Sequence, residues 1–171
     1  ETSDSDSKND LSDDKGIIHP EDEVKPEDMK PDSKYERNGY EYQTDDMGRT
    51  RWVYGDLKLE EGERTRLQTD IGHLGEDGDE GGHLIGTRFN GPTDAFNLVP
   101  QNSNLNRSEW ESMESSWAED LKNGKDVKVM IDPIYSGNSI RPDSFDVVTQ
   151  VDGELTYRSF LNQAGTKDSK E

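Results

Sequence analysis

The chain contains no cysteine. That excludes disulfides, thiolate metal ligands and a cysteine nucleophile. It leaves the compartment open, because the cytosol and an export route that makes few disulfides are both compatible with it. Histidine is scarce as well, with His19, His73 and His83 the only three, so any imidazole chemistry falls on one of them. No apolar run approaches the length of a transmembrane helix, and there is no signal-peptide core. Membrane insertion by this segment is therefore not expected, and an export signal would lie in a longer parent. The start at ETSDSDSKND looks like a cut inside a polypeptide. Hydrophobic residues make up only 27% of the chain against 35% charged, a composition in which part of the length does not pack.

Positive charge is in short supply too. Twenty Lys and Arg face 39 Asp and Glu, for a net charge of −19. Residues 1–34 hold 12 acidic and 5 basic side chains, and the remaining 137 residues hold 27 and 15, so the part that should fold is acidic in its own right. A plain nucleic-acid-binding domain should be basic. The balance still allows an enzyme in which a bound cation and a few arginines handle a phosphate locally, and it favours a basic protein partner.

What is present divides into three stretches. Residues 1–34 carry Asp, Ser, Lys, Glu and Pro around one apolar island, Gly16–Ile18, and Pro20, Pro26 and Pro31 break any helix. They read as an acidic linker, disordered and dispensable; the alternative is an acidic strand that mimics nucleic acid over a site. Residues 35–164 read as one domain, and 165–171 as a frayed tail. In the domain, alternation of polar and aromatic residues around Asp45-Asp46-Met47-Gly48 predicts a β-hairpin with Tyr40 and Tyr42 on one arm and Trp52 and Tyr54 on the other. Residues 60–80 read as a charged, Gly-rich loop with short structure. Gly81–Phe89 predicts a strand entering a turn, and Phe96–Val99 a short strand closed by Pro100. Ser108 with Glu111 has the spacing of a capping box. Trp110, Met113, Trp117 and Leu121 form the apolar face of the helix that follows, with Gly124 as its stop. Strands are predicted at Val127–Tyr135, Ser144–Val151 and Leu155–Phe160. The sum is α+β: an antiparallel sheet with one main helix on its face.

The chemistry gathers between Glu80 and Glu114. His83 follows two glycines, which permit close backbone approach, and a neutral imidazole can deprotonate water near neutral pH. A structural histidine is the competing reading. Asn106 ends the polar run NSNLN just before the helix. Its carboxamide oxygen suits a hard cation such as Mg²⁺, although asparagine is also common in turns. Glu114 lies on or beside the apolar stripe, where a carboxylate needs a partner unless it snorkels to the helix edge. Asn97 and Gln101 bracket a strand end and can shape the loop. Arg88 is the arginine nearest His83 and needs a bend at Gly86 to reach it; Arg64, Arg66 and Arg107 compete for the role of phosphate contact.

EGGHLI followed by NLVPQNSNLNRSEW and ME resembles the DNA/RNA non-specific endonuclease family, which has a ββα-metal active site. The resemblance implies that His83, in Asp79-Glu80-Gly81-Gly82-His83, matches the general base of the family's DRGH-type motif. It places Asn97 at the start of the N-x-x-P-Q run, where it fixes the loop of the catalytic set. Asn106 takes the metal-ligand position, with Trp110 and Glu114 following. Where the family motif has an arginine before Gly-His, this chain has Gly81. The Gly-Gly-His form is similar to nuclease toxin domains at the C-termini of secreted bacterial polymorphic toxins, including type VII-secreted ones. That resemblance implies hydrolysis of DNA, or RNA, with one Mg²⁺ or Mn²⁺ ion held by Asn106 and Glu114 and with Arg88 on the phosphate. It further implies secretion by a bacterium, action in the cytoplasm of a target cell, a cognate antitoxin or immunity protein, and a secretion chaperone. The competing class is a non-catalytic acidic binding module or decoy, which would need no metal.

Overall fold

The computed structural model describes residues 16–164. Its strands are β1 (Ile17–Ile18), β2 (Lys34–Arg37), β3 (Tyr40–Thr44), β4 (Thr50–Asp56), β5 (Asp79–His83), β6 (Leu98–Asn102), β7 (Val127–Ile134), β8 (Ser144–Val151) and β9 (Glu154–Leu161). Its helices are α1 (Leu67–Gly72), α2 (Ser103–Arg107) and α3 (Glu109–Lys122). Seven strands form one sheet in the order β1-β2-β3-β4-β7-β8-β9, and β5 and β6 form a separate antiparallel pair. No helix among the described residues is long and apolar enough to cross a membrane.

Local chemistry accounts for the large sheet. Asn38 and Gly39 both take positive φ, 59° and 90°, as a two-residue hairpin turn requires, and they join β2 to β3. Asp152 and Gly153 repeat the device between β8 and β9. The hairpin predicted around residues 45–48 is β3–β4, tied by the Asp45 carboxylate to the backbone N–H groups of Met47 and Arg49. Its register sets Tyr42 opposite Val53 and Gln43 opposite Trp52. Tyr40 and Tyr42 therefore point into the core, while Trp52 and Tyr54 lie on the outer face.

The core lies between this sheet and α3. Trp110, Met113 and Trp117, three or four residues apart, are almost wholly buried, as the apolar periodicity predicts. Trp110 packs on Phe145 with ring centroids 5.1 Å apart, and Trp117 donates to Thr149 Oγ1 at 3.2 Å. Burying side chains of this size stabilises the fold by roughly 3 kcal/mol each, which fixes the rotation of α3 and so the direction of its other faces. The helix stops at Asn123–Gly124, where the Gly124 N–H bonds to the Leu121 carbonyl.

Three expectations need correction. The capping box does not form: the Ser108 hydroxyl donates back to the Asn104 carbonyl and makes no cap hydrogen bond to α3. The cap is made one helix earlier, by Asn102 on α2. The sheet is not wholly antiparallel, because β1 pairs parallel with β2. The linker reading of residues 1–34 fails from Gly16 onward; residues 1–15 and 165–171 lie outside the described residues. Val24 is buried, its N–H bonds to Asp94 Oδ2 at 2.8 Å and its carbonyl accepts from Ala95. Arg37 pairs with Asp94 and also donates to the carbonyls of Pro20 and Asp22. The segment is polar in composition, yet its backbone is held by side chains far along the chain.

The Asp94 side chain is 2% exposed and its partner Arg37 23%. Asp94→Ala should cost about 3 kcal/mol, the lower end for breaking a buried pair, and urea unfolding followed by tryptophan fluorescence measures it. A loss under about 1 kcal/mol would show that this clamp does not hold residues 16–34 to the domain.

Candidate active site

The site is built on the small β5–β6 pair and the two helices after it. In that pair His83 stands opposite Leu98. Gly81 and Gly82 are there because neighbours occupy the space of a side chain. A Cβ on Gly81 would sit 1.9 Å from the carbonyl oxygen of Gln68 on α1, and one on Gly82 would sit 2.1 Å from Gln101 Oε1. Both distances are far inside contact, so α1 and β6 close on the strand only with glycine. Beyond His83 the chain bends at Leu84–Ile85 and turns over residues 86–89, closed by the Phe89 N–H on the Gly86 carbonyl, and Arg88 faces the same cleft as the imidazole. A Cβ at Gly86 would lie 2.7 Å from Glu114 Oε2.

His83, Arg88, Asn106 and Glu114 line one cleft of about 190 Å³ together with Arg64 and Glu111. Asn97 does not line it. That side chain is 0% exposed and accepts from Tyr42 Oη at 2.7 Å and from the Ile85 N–H at 2.9 Å. It donates to the carbonyls of Ile85 and Pro92, each at 2.9 Å. Its place in the catalytic set is corrected to that of a buried brace beneath the loop, because every polar atom of the amide is spent on protein partners.

His83 is 9% exposed. Burial, with the positive charge of Arg64, pushes its pKa down to about 4, so the imidazole is neutral at physiological pH. Burial pushes Glu114 up to about 7; Arg88 opposes the shift, Glu111 adds to it, and Trp110 and Arg64 favour the ionised form. Among the described residues the buried Trp110 indole N–H makes no hydrogen bond of ordinary geometry. Asn106 donates its Nδ2 to Glu80 Oε2 at 2.8 Å, which leaves the carbonyl oxygen as the atom this amide offers a cation. Burial opposes ionisation of Glu80, but hydrogen bonds from Arg107 and Asn106 hold its carboxyl below the usual range. Glu80 is the orienting residue that the sequence reading did not single out. Arg107, by contrast, is exposed and bound to Glu80 outside the cleft. Arg64 enters the cleft and donates to Gln68 Oε1 and Thr87 Oγ1.

Among the described residues no three His, Asp or Glu side chains converge as a metal cage. The cleft offers the Asn106 carbonyl oxygen and the Glu114 carboxylate, while its other carboxylate, Glu111, is tied to Arg88. That set suits a hard cation that keeps several waters and does not match the closed nitrogen and sulfur cages of structural zinc.

A small strand pair followed by helices carrying Asn106 and Glu114, with His83 at the strand end, is the arrangement of a ββα-metal nuclease. The sequence pattern of the DNA/RNA non-specific endonuclease family matches residues 31–153, and the chain belongs to that family. Among curated proteins it is similar to type VII secretion system protein EssD of Staphylococcus aureus strains USA300 and NCTC 8325. It is 39% identical to each over 152 residues, which cover 82% of this chain and 24% of theirs. The chain thus spans about a quarter of the length of the curated relatives it matches. Its fold is similar to that of NucA from Streptococcus agalactiae with magnesium bound, with a TM-score of 0.62 at 16% identity over 77% of this chain and 73% of that one. The Sda1 nuclease with bound zinc is a second such structure, with a TM-score of 0.54 at 13% identity over 72% and 74% of the two chains.

The two shifted groups set opposite pH dependences. Glu114 holds its proton more tightly folded than unfolded, so its contribution to stability is full below about pH 4.5 and is lost as the pH rises through about 7. His83 holds its proton less tightly folded, so its contribution is full above about pH 6.5 and is lost as the pH falls toward 4. With divalent cations chelated, Glu114→Gln should remove up to about 3 kcal/mol of the stability lost between pH 5 and 8. Thermal melts of both proteins in chelator across that range read the difference; parallel curves would contradict a buried, proton-holding Glu114.

Proposed function

We propose that this cleft hydrolyses phosphodiester bonds of nucleic acid, DNA before RNA, with His83 as the general base. The observation that carries the reading is the convergence of His83, Asn106, Glu114 and two arginines on one cleft, from segments separated in sequence. A divalent cation, Mg²⁺ or Mn²⁺, fits the Asn106 carbonyl oxygen and Glu114 and when bound would supply Lewis-acid stabilisation of the charge that develops on phosphorus and on the leaving oxygen.

The chain's own residues do the rest. His83 accepts the proton of the attacking water. Burial and the nearby Arg64 favour its unprotonated form in the free site, and an approaching phosphate raises its basicity toward the range a general base needs. Glu80 holds the Asn106 amide with its oxygen toward the cleft. Arg88 and Arg64 meet the non-bridging phosphate oxygens and offset the charge gained as water attacks. Asn97 keeps the loop from Leu84 to Pro92 in place while this happens.

Similarity to EssD supports placing this domain in a larger secreted bacterial toxin that acts in the cytoplasm of a target cell. Such a toxin requires a cognate antitoxin in the producing cell, and a secretion chaperone fits the same reading. The strongly acidic domain favours an antitoxin with a basic or mixed surface, which would speed association.

Plasmid cleavage with Mg²⁺, with and without chelator, tests the reaction. His83→Ala should lose on the order of 10²–10⁴-fold in rate while keeping its thermal transition; wild-type activity in that protein would end the assignment. Asn106→Ala should shift the cation titration to higher concentration more than it lowers stability, and an unchanged curve would rule Asn106 out as a ligand. Co-expression with proteins encoded beside the parent should reveal one that copurifies and suppresses cleavage. If none does, and the free domain is harmless in its own cell, the toxin role fails even if the nuclease chemistry stands.

A further inference from the structure

Arg88 reaches the cleft already engaged. Its Nη2 donates to Glu111 Oε2 at 2.9 Å and its Nη1 to Ser115 Oγ at 3.4 Å, while the Ser115 hydroxyl donates to the same Glu111 oxygen at 3.1 Å. Both members of the pair line the cleft with His83, Asn106 and Glu114. Glu111 stands one turn before Ser115 on α3, and since it does not serve as a capping-box partner for Ser108, its carboxylate is free for this contact. The side chains are part-open to solvent, 34% exposed for Arg88 and 51% for Glu111, so the pair can exchange partners without unfolding anything.

We propose that Glu111 is an internal stand-in for the substrate phosphate: its carboxylate occupies the Arg88 guanidinium in the free protein and must be displaced when nucleic acid binds. A carboxylate and a phosphate present oxygens to the same guanidinium fork, and one Arg88 cannot pair fully with both. Glu111 is thus a positioning residue. It holds Arg88 against α3 and sets how strongly the cleft takes a phosphate. The inference rests on the cleft being the nuclease site described above.

The salt dependence of binding carries the signature. A protein that neutralises a phosphate releases condensed counterions, with a log–log slope of about 0.9 per phosphate. In the exchange proposed here, Glu111 takes up a cation as Arg88 leaves it, so much of that release is cancelled. Glu111→Gln removes the cancellation.

The test is binding of a fluorescent DNA duplex in chelator, by anisotropy, to wild type, Glu111→Gln, Arg88→Ala and the double variant at several salt concentrations. Because no cleavage occurs in chelator, this readout is separate from the reaction; loss of Mg²⁺-dependent cleavage in His83→Ala reports independently whether the cleft is catalytic at all. Glu111→Gln should tighten binding about three- to fivefold at low salt, the range of an exposed ion pair, steepen the salt slope by up to about 0.9, and lower KM in the cleavage assay. Adding Glu111→Gln to Arg88→Ala should change none of these. Equal tightening with and without Arg88 would mean that Glu111 only repels DNA at large, and unchanged or weaker binding in Glu111→Gln would mean that it does not compete for Arg88. Either outcome overturns the proposal.

Discussion

One buried amide ties the two sheets of this protein together. Asn97 sits beneath the turn that follows His83, and its two polar atoms serve four partners: the Tyr42 hydroxyl from the large sheet, both backbone groups of Ile85, and the Pro92 carbonyl. Each bond is modest on its own, about 1 kcal/mol net, but an amide buried without them would cost more than it contributes. These four bonds hold the loop in the conformation that satisfies Asn97. In that conformation Gly86 turns under Glu114 and Arg88 returns to the cleft. The position of the candidate base relative to α3 follows from this brace and from the two tryptophans that fix the rotation of the helix.

Electrostatics within the cleft run against those of the molecule. The chain as a whole carries −19, yet Arg64 and Arg88 are brought to the same small volume as His83. The acids around them are managed in three ways. Glu80 is tied to Asn106 and Arg107 and stays ionised. Glu111 is tied to Arg88. Glu114 is left to burial, which favours its proton until a positive charge arrives. An acidic protein can in this way present a locally usable phosphate site while its outer surface discourages indiscriminate contact with nucleic acid.

Much of this was legible in the sequence because it depends on short-range spacing. The apolar face of α3, the stop at Gly124, the hairpin at residues 45–48 and the late strands all follow from periodicity and turn residues. His83, Asn106 and Glu114 stand out because glycines, amides and a carboxylate appear where packing alone would not put them. What was missed depends on long-range approach. Glu80 meets Asn106 across 26 residues, Glu111 meets Arg88 across 23, and Val24 is held by Asp94 across 70. Composition could not reveal that a polar, Pro-broken segment would find its backbone partners so far away, and Ser108 with Glu111 has the spacing of a cap while both side chains bond elsewhere.

The central claim is that Asn106 and Glu114 hold the working cation beside His83. Crystals of the domain soaked in Mn²⁺ test it most directly, through the anomalous signal of the ion. The account predicts one strong peak about 2.1 Å from Asn106 Oδ1, the distance of a hard-cation bond, with Glu114 bound to it directly or through one water. A strong peak confined to the acidic surface around Glu60, Glu61 and Glu63, with none in the His83 cleft, would contradict it.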